Sequence, residues 1–422
     1  MGRNDDAWAL LFERYSIAEQ VRANGFFLIS ADQIRQYREP RLMTKFDHIV
    51  SLPALFVENG LAVLPVSRGD YIISSFAAYH CFEEPAGETA RAHLPAHLQS
   101  LASQYLTSEA VALNCAHACG VLDDFLGEEG LTPTASGRMG SGRFDFTIDS
   151  ARGPLCVPVR NAQIEIDAAY EGSHSLSLFE AKSSRSHDFL IRQLYYPFRT
   201  WRSRIHKPVR TVFFIFTGGV FYLYEYGFAN PEHYNSLFLL RQKNYRLDAG
   251  ISLPDIERLL QTAVVRPEPA FPFPQADSFE RIINLLELLA VQPMNGEDIA
   301  GQYLFTPRQS GYYTNAGRYL GLIQMARTPY GPVFSLTPRG SQLFCMDLRQ
   351  RRLALAEAIL EHGVFNQLLR LRLSGGRPLD KNTAVQVMRQ SRLRGVDSDS
   401  TYARRASTVL SWLRWILDIV EN

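Results

Sequence analysis

Apolar and polar residues change period several times along this chain, and each change marks an element. From residue 163 to 169 they alternate, with Ile164 and Ile166 on one face and Glu165 and Asp167 on the other. Residues 176–182 alternate as well, and Glu180 and Lys182 share a face because side chains repeat every second residue along a strand. The stretch between, Glu171-Gly172-Ser173-His174, has the breaker and small polar residues of a hairpin connection. Upstream, residues 107–126 place Val111, Leu113, Ala118, Val121, Leu122 and Phe125 at helical spacing behind Ser108 as N-cap. Downstream, residues 188–201 predict another helix, which Pro197 should bend or end. Residues 210–217 and 220–226 are almost wholly apolar, as strands buried on both faces are. The expectation is an α/β core: a mixed sheet flanked by helices.

The pattern changes again after residue 265. Residues 266–274 hold four prolines in nine positions, which predicts an extended, semi-rigid linker. Residues 278–290 follow as a helix with Ile282, Ile283, Leu285, Leu286, Leu288 and Leu289 inward. A short helix over 295–303 and a third from Thr306-Pro307 to Leu322 come next. Two strands, 324–328 and 333–337, are joined through Pro329-Tyr330-Gly331. Three helices and a hairpin make a winged helix-turn-helix, whose third helix would enter the major groove with Arg308, Gln309, Tyr312, Asn315 and Arg318. Winged helices also serve as plain protein-interaction modules. A second unit is predicted from helices at 352–373, 380–389 and 402–419. Its last helix opens with Thr401, Arg404 and Arg405 and ends in an apolar stripe around Trp412 and Trp415, the polarity of a helix that reads DNA at its N-terminal end.

A chain of 422 residues is too long for one core. The boundaries expected are 1–100 (an α+β region), 101–265 (the sheet core), 266–350 (winged helix) and 351–422 (a second, winged-helix-like helical domain). At 46% hydrophobic and 21% charged the composition is that of an ordinary globular protein, and no apolar run is long enough for a bilayer. The first residues lack the apolar core of a signal peptide, and five scattered cysteines read as reduced thiols, so a cytoplasmic protein with no membrane partner is expected. The net charge of +1 hides an asymmetry. Residues 301–422 carry 17 of the 44 Lys and Arg but only 8 of the 43 Asp and Glu, a net of +9 against −8 for the rest. All but one of those cations are Arg, the side chain suited to phosphate and guanine, so the C-terminal part is the expected nucleic-acid binder.

The chemistry sits in Asp167, then twelve residues, then Glu180-Ala181-Lys182. Paired strands would set the two carboxylates side by side with an ammonium one step on. Hard carboxylate oxygens suit Mg²⁺, and the lysine would hold water or a phosphate.

This Asp…Glu-x-Lys arrangement between two helices resembles the PD-(D/E)XK nuclease superfamily, with Ile166 where the superfamily's name has Pro. The resemblance implies that Asp167 and Glu180 bind the metal and that Lys182 positions the attacking water. It also places Glu109, on the preceding helix, and Gln193 and Tyr196, on the following one, near the site; Glu109 is equally readable as a complement to its helix dipole. The stretch 398–416, Ser-Asp-Ser-Thr through Trp-Ile, looks like the last helix of tandem winged-helix regions in restriction endonucleases, and residues 39–47 and 64–71 resemble the leading region of a type II group. There Arg41, Lys45 and Arg68 read either as DNA-backbone contacts or as surface charge. The implied function is a sequence-specific, Mg²⁺-dependent endonuclease acting on double-stranded DNA. A cognate DNA methyltransferase would be its genetic partner, and the class leaves room for a homodimer. The alternatives are a modification-dependent or repair nuclease, or, outside enzymes, a winged-helix DNA-binding regulator with an inactive nuclease core.

Overall fold

The structure is a computed structural model that describes residues 3–83, 88–101, 106, 108–303, 307–329, 331–375, 379–391 and 393–421. The N-terminal region runs α1 (Arg3–Tyr15), α2 (Ile17–Asn24), β1 (Phe27–Ser30), α3 (Ala31–Arg35), α4 (Pro40–Thr44), α5 (Ala54–Glu58), β2 (Ala62–Pro65) and β3 (Asp70–Ser74). Trp8, Phe12 and Phe56 pack edge to face at its centre, beneath a small β1-β3-β2 sheet.

Next come β4 (Tyr79–Cys81), β5 (Ala90–Ala92), α6 (Glu109–Ala118), α7 (Val121–Leu126), β6 (Thr132–Gly140), β7 (Arg143–Ile148), β8 (Leu155–Arg160), β9 (Gln163–Glu171), β10 (Leu176–Lys182), β11 (Asp188–Leu190), α8 (Arg192–Arg202), β12 (Val209–Thr217), β13 (Val220–Phe228) and β14 (Leu237–Leu247). Seven of these strands form a mixed sheet in the order β5-β14-β13-β12-β10-β9-β6, with β10/β12 and β14/β5 parallel. Helices α6 and α7 bury Leu113, Leu122 and Phe125 against Phe179, Val212 and Phe214. Helix α8 buries Leu194 against Phe213 and Ile215. The expected α/β architecture with a mixed sheet flanked by helices is therefore present.

Three local expectations are corrected. The single helix over 107–126 is two, because Gly120 takes a left-handed φ of 71° between them. Ser108 caps the first, accepting from the Val111 N–H at 3.3 Å. The start of the expected helix 188–201 is strand β11, paired with β4. And Pro197 neither ends nor starts α8 but lies inside it. Its missing N–H is outweighed by anchors on either side: Tyr195 donates to Pro231 O, Tyr196 to Pro65 O, and Thr200 to Ser141 O.

The C-terminal part comprises α9 (Leu253–Thr262), α10 (Phe279–Val291), β15 (Met294–Asn295), α11 (Gly296–Tyr303), α12 (Pro307–Tyr319), β16 (Ile323–Thr328), β17 (Gly331–Leu336), α13 (Pro338–Gln342), α14 (Leu348–Leu360), α15 (Gly363–Gly375), α16 (Lys381–Arg389) and α17 (Asp399–Asp418). Helices α10 to α12 with a three-stranded β15-β17-β16 sheet have the element order of a winged helix. The expected second winged unit differs. Its first helix is split into α14 and α15, and no strand lies among the described residues after Leu336. One hydrophobic cluster runs through both C-terminal segments, from Ile251 on through Phe279, Leu360 and Trp412 to Val420. The proline-rich stretch is not a free spacer but a strap on this core. Phe273 is buried, its N–H donates to Arg394 O, and its ring lies 5.9 Å from Phe365 and 5.7 Å from Tyr319.

His362 in this core stacks on Tyr319 at 3.9 Å. Burial, with Arg339 and Arg266 nearby, pulls its pKa down to about 4. The folded protein thus holds it neutral while the unfolded chain takes up a proton near pH 6.5. The stability gained is present above that pH and is lost as pH falls from 6.5 towards 4, about 3 kcal/mol in all. The wild-type protein should lose more melting temperature between pH 7 and 4.5 than His362→Phe does. Equal losses would assign the acid sensitivity elsewhere.

Candidate active site

Strands β9 and β10 pair antiparallel from Leu176↔Glu171 to Phe179↔Ala168. On its other side β9 shifts register against β6 between Ala135 and Gly137, opposite the Asp167-Ala168 step. Such an irregularity bends a strand and re-aims its side chains, and it is enriched beside active sites. Here the Asp167 carboxylate turns to β10 and accepts the Ala181 N–H at 2.7 Å. The pairing register runs toward the expected side-by-side placement of Asp167 and Glu180, and the Asp167 bond to the Ala181 N–H ties the strands just past the last observed pair, Phe179↔Ala168.

Glu180 is buried. Its Oε1 accepts from Lys182 Nζ at 2.5 Å and from Gln193 Nε2 at 2.6 Å, the latter carried in by the first turn of α8. Burial, reinforced by Asp167 and Asp47 and opposed by Lys182, pushes the Glu180 carboxyl up to about 7. Burial works against the Lys182 charge as well, but Glu180, Asp47 and Asp167 outweigh it and hold the ammonium above its ordinary range. Glu109, the first residue of α6, is also raised, by burial and by Asp167 against the pull of Lys182. Burial is thus the main cause that raises both carboxyls, with Lys182 opposing it.

These side chains line a cleft of 170 Å³ together with Arg41, Lys45, Asp47 and Arg192. Asp167, Glu180, Lys182, Glu109 and Gln193 are therefore brought together as expected. Tyr196 is not: its hydroxyl is turned away to Pro65 O, inside the core under β7. Arg41 and Lys45 reach the cleft because the 45–49 loop docks on β11, where the Leu190 N–H donates to Asp47 O at 2.9 Å and the Ile49 N–H to Asp188 Oδ1 at 3.1 Å. Arg68 does not line it. Sequence reading missed Asp47 and Arg192. Asp47 closes the very stretch that carries Arg41 and Lys45, and Arg192 precedes Gln193, so proximity to named residues was the available signal.

The groove-facing candidates fare unevenly. The side chains of Arg308 and Gln309 lie outside the described residues. Asn315 accepts from Arg318 at 3.3 Å, and the Arg318 guanidinium sits 4.5 Å over Phe271 of the strap. Tyr312 is half-buried. Thr401 is bonded to Ser398 of the cap and Arg405 to Gln275, while Arg404 is exposed.

Among the described residues no group of three or more His, Cys, Asp or Glu side chains is placed to hold a metal ion, and no helix is long and apolar enough to cross a membrane. The five cysteines form no disulfide.

Residues 5–73, 74–246 and 281–421 match three families, each described only as a domain of unknown function (DUF6996, DUF6997 and DUF7226 respectively). The second match ends within β14 and contains Asp167, Glu180 and Lys182, and the third takes in the winged-helix elements and the helices after them as one unit. No curated protein and no solved structure matches the chain.

Proposed function

We propose that the chain is a Mg²⁺-dependent DNA endonuclease of the PD-(D/E)XK kind, of the sequence-specific restriction type, with the C-terminal unit as its DNA-binding part. The observation that carries this reading is the meeting of Asp167, Glu180, Lys182, Glu109 and Gln193, from β9, β10 and α8 of the sheet core and α6 before them, in a single polar cleft lined also by Arg41, Lys45 and Arg192.

A divalent cation fits the residues present. Two carboxylates, Asp167 and Glu180, converge with Asp47 nearby; burial raises the Glu180 pKa, Asp167 and Asp47 add to that, and Lys182 opposes it. Two protein oxygens suffice for Mg²⁺, which keeps several waters and takes the rest from phosphate. When bound, the ion would supply Lewis-acid stabilisation of charge at a phosphodiester and lower the pKa of water. The chain's own groups do the rest. Lys182 Nζ, fixed by Glu180, can orient a water or a phosphate oxygen. Gln193 Nε2 holds the Glu180 carboxylate in place. Arg41, Lys45 and Arg192 offer cations to the DNA backbone at the cleft mouth.

Supercoiled plasmid incubated with the protein and Mg²⁺ tests the reading: nicking or linearisation that EDTA abolishes is expected. DNA binding with no cleavage in any divalent metal would favour the regulator with an inactive core. Cleavage only of modified or damaged DNA would favour the second nuclease class.

Arg41→Glu combined with Lys45→Glu should weaken binding to cognate and random duplexes alike. It should also reduce the slope of log K against log[salt] by roughly 2 units, close to one per lost phosphate contact. An unchanged slope would leave these residues as surface charge.

A further inference from the structure

A second cleft of 430 Å³ opens beside the catalytic one, in the seam between the sheet core and the C-terminal unit. The two share Glu109 and Lys182 in their walls. One wall comes from the core, through Phe216 of β12 and Ser183. The other comes from the C-terminal unit, through Glu287, Ala290 and Val291 of α10 and through Phe344 and Arg351. Both phenyl rings are half-buried, and Val291 is 84% exposed, so the cleft has an open mouth. Its size is that of a small-molecule site, which range from about 300 to 1,000 Å³.

Its polar groups are held in place rather than mobile. Glu287 accepts the Gly218 N–H at 3.0 Å and the Thr217 hydroxyl. A carboxylate has about four lone-pair sites, so it keeps acceptor capacity beyond these two bonds. Arg351 lies 5.0 Å over Phe344 and spends two of its N–H donors on Leu343 O and Met346 O. Two aromatic rings, one carboxylate and one guanidinium around a slot are the groups that take a planar ring by its faces and read the donors and acceptors on its edge. Glu109 and Lys182, which line both clefts, fix what carries that ring.

We propose that this cleft receives an unpaired nucleobase of the substrate strand, adjacent to the phosphate at the catalytic groups, and that it prefers a base bearing an exocyclic amino group. Phe216 and Phe344 take the ring faces, Glu287 accepts from the amino group, and Arg351 donates to the ring's acceptors. The inference rests on the nuclease reading and specifies its substrate: the duplex must yield a base at the cut.

The test reads binding, without cleavage. Fluorescence anisotropy in EDTA measures the full-length protein on three duplexes of one sequence: fully paired, with one extra unpaired cytosine, and with an abasic residue in its place. The cytosine bulge is expected to bind on the order of ten-fold tighter than the other two, within the range for one base stacked on aromatic side chains. Phe344→Ala should remove that preference and leave affinity for paired DNA unchanged. Val291→Trp, a change at an exposed position that fills the mouth, should do the same without disturbing the seam. Glu287→Gln should reduce the preference for cytosine over thymine in the bulge. Equal affinity for all three duplexes, or a preference that survives Val291→Trp, overturns the pocket while leaving the nuclease reading standing. No binding to any duplex overturns both.

Discussion

Lys182→Ala is expected to lower Mg²⁺-dependent cleavage by about 10²–10³-fold, the loss typical when one preorganised group facing developing charge is removed, with DNA affinity nearly unchanged. The ammonium is mostly buried and spends its contact on Glu180, so it adds little to the surface that meets DNA. Its removal leaves Glu180, Asp167 and Asp47 with one cation fewer, and the Glu180 carboxyl then holds its proton more tightly. Lys182→Arg should not restore the rate, because a planar guanidinium cannot occupy the place of a compact ammonium at the same point. Single-turnover cleavage beside an anisotropy titration gives both numbers. A wild-type rate in Lys182→Ala would sink the assignment of the site, and a parallel collapse of binding would make the lysine a substrate anchor instead.

The second large effect concerns how the two halves are joined. Arg352 of α14 is only 3% exposed, and its guanidinium reaches across the seam to Leu247 O at 2.9 Å, Gly219 O at 3.3 Å and Gly218 O at 3.4 Å. Burial, with Arg246 beside it, brings its pKa down to about 9. Arg352→Ala leaves those carbonyls without the donor and removes the packed stem, at a cost of about 3 kcal/mol or more. Urea unfolding should show the midpoint falling, and proteolysis should reach the 248–266 segment sooner. Gly219 sits at φ 76°, and a Cβ there would come within 2.6 Å of the Arg352 guanidinium. Gly219→Ala should therefore destabilise the same joint independently. If both variants keep the wild-type midpoint, the seam contributes nothing to folding.

Much of this was legible in the chain. Period-2 alternation at 163–169 put Ile164 and Ile166 on the buried face of β9, and the two-residue spacing of Glu180 and Lys182 set them on one face of β10, a strand buried on both sides. Ser108, read as an N-cap, marks a helix start that the structure keeps, and the helices expected from residues 278 and 380 begin one residue later behind those side chains as caps. The apolar runs at 210–217 and 220–226 announced the central strands. All of these are local signals, set by a residue and its neighbours a few positions away.

What the sequence could not decide depends on contacts between distant segments. Local pattern carries no term for the register shift opposite Asp167, which is settled between β9 and β6. Pro197 speaks for a break, yet tyrosines anchored to residues 65 and 231 hold α8 together across it. Arg318 and Arg405 have the look of DNA-reading arginines, but the strap at 266–277 folds back and engages both. Asp47 and Lys45 join the candidate cleft because their loop docks on a strand 140 residues away. The sequence by itself determined the central strands, several of the helices and the chemistry they carry. Tertiary structure alone decided which of those groups meet, because burial and electrostatics act between neighbours in space and the chain's order does not encode them locally.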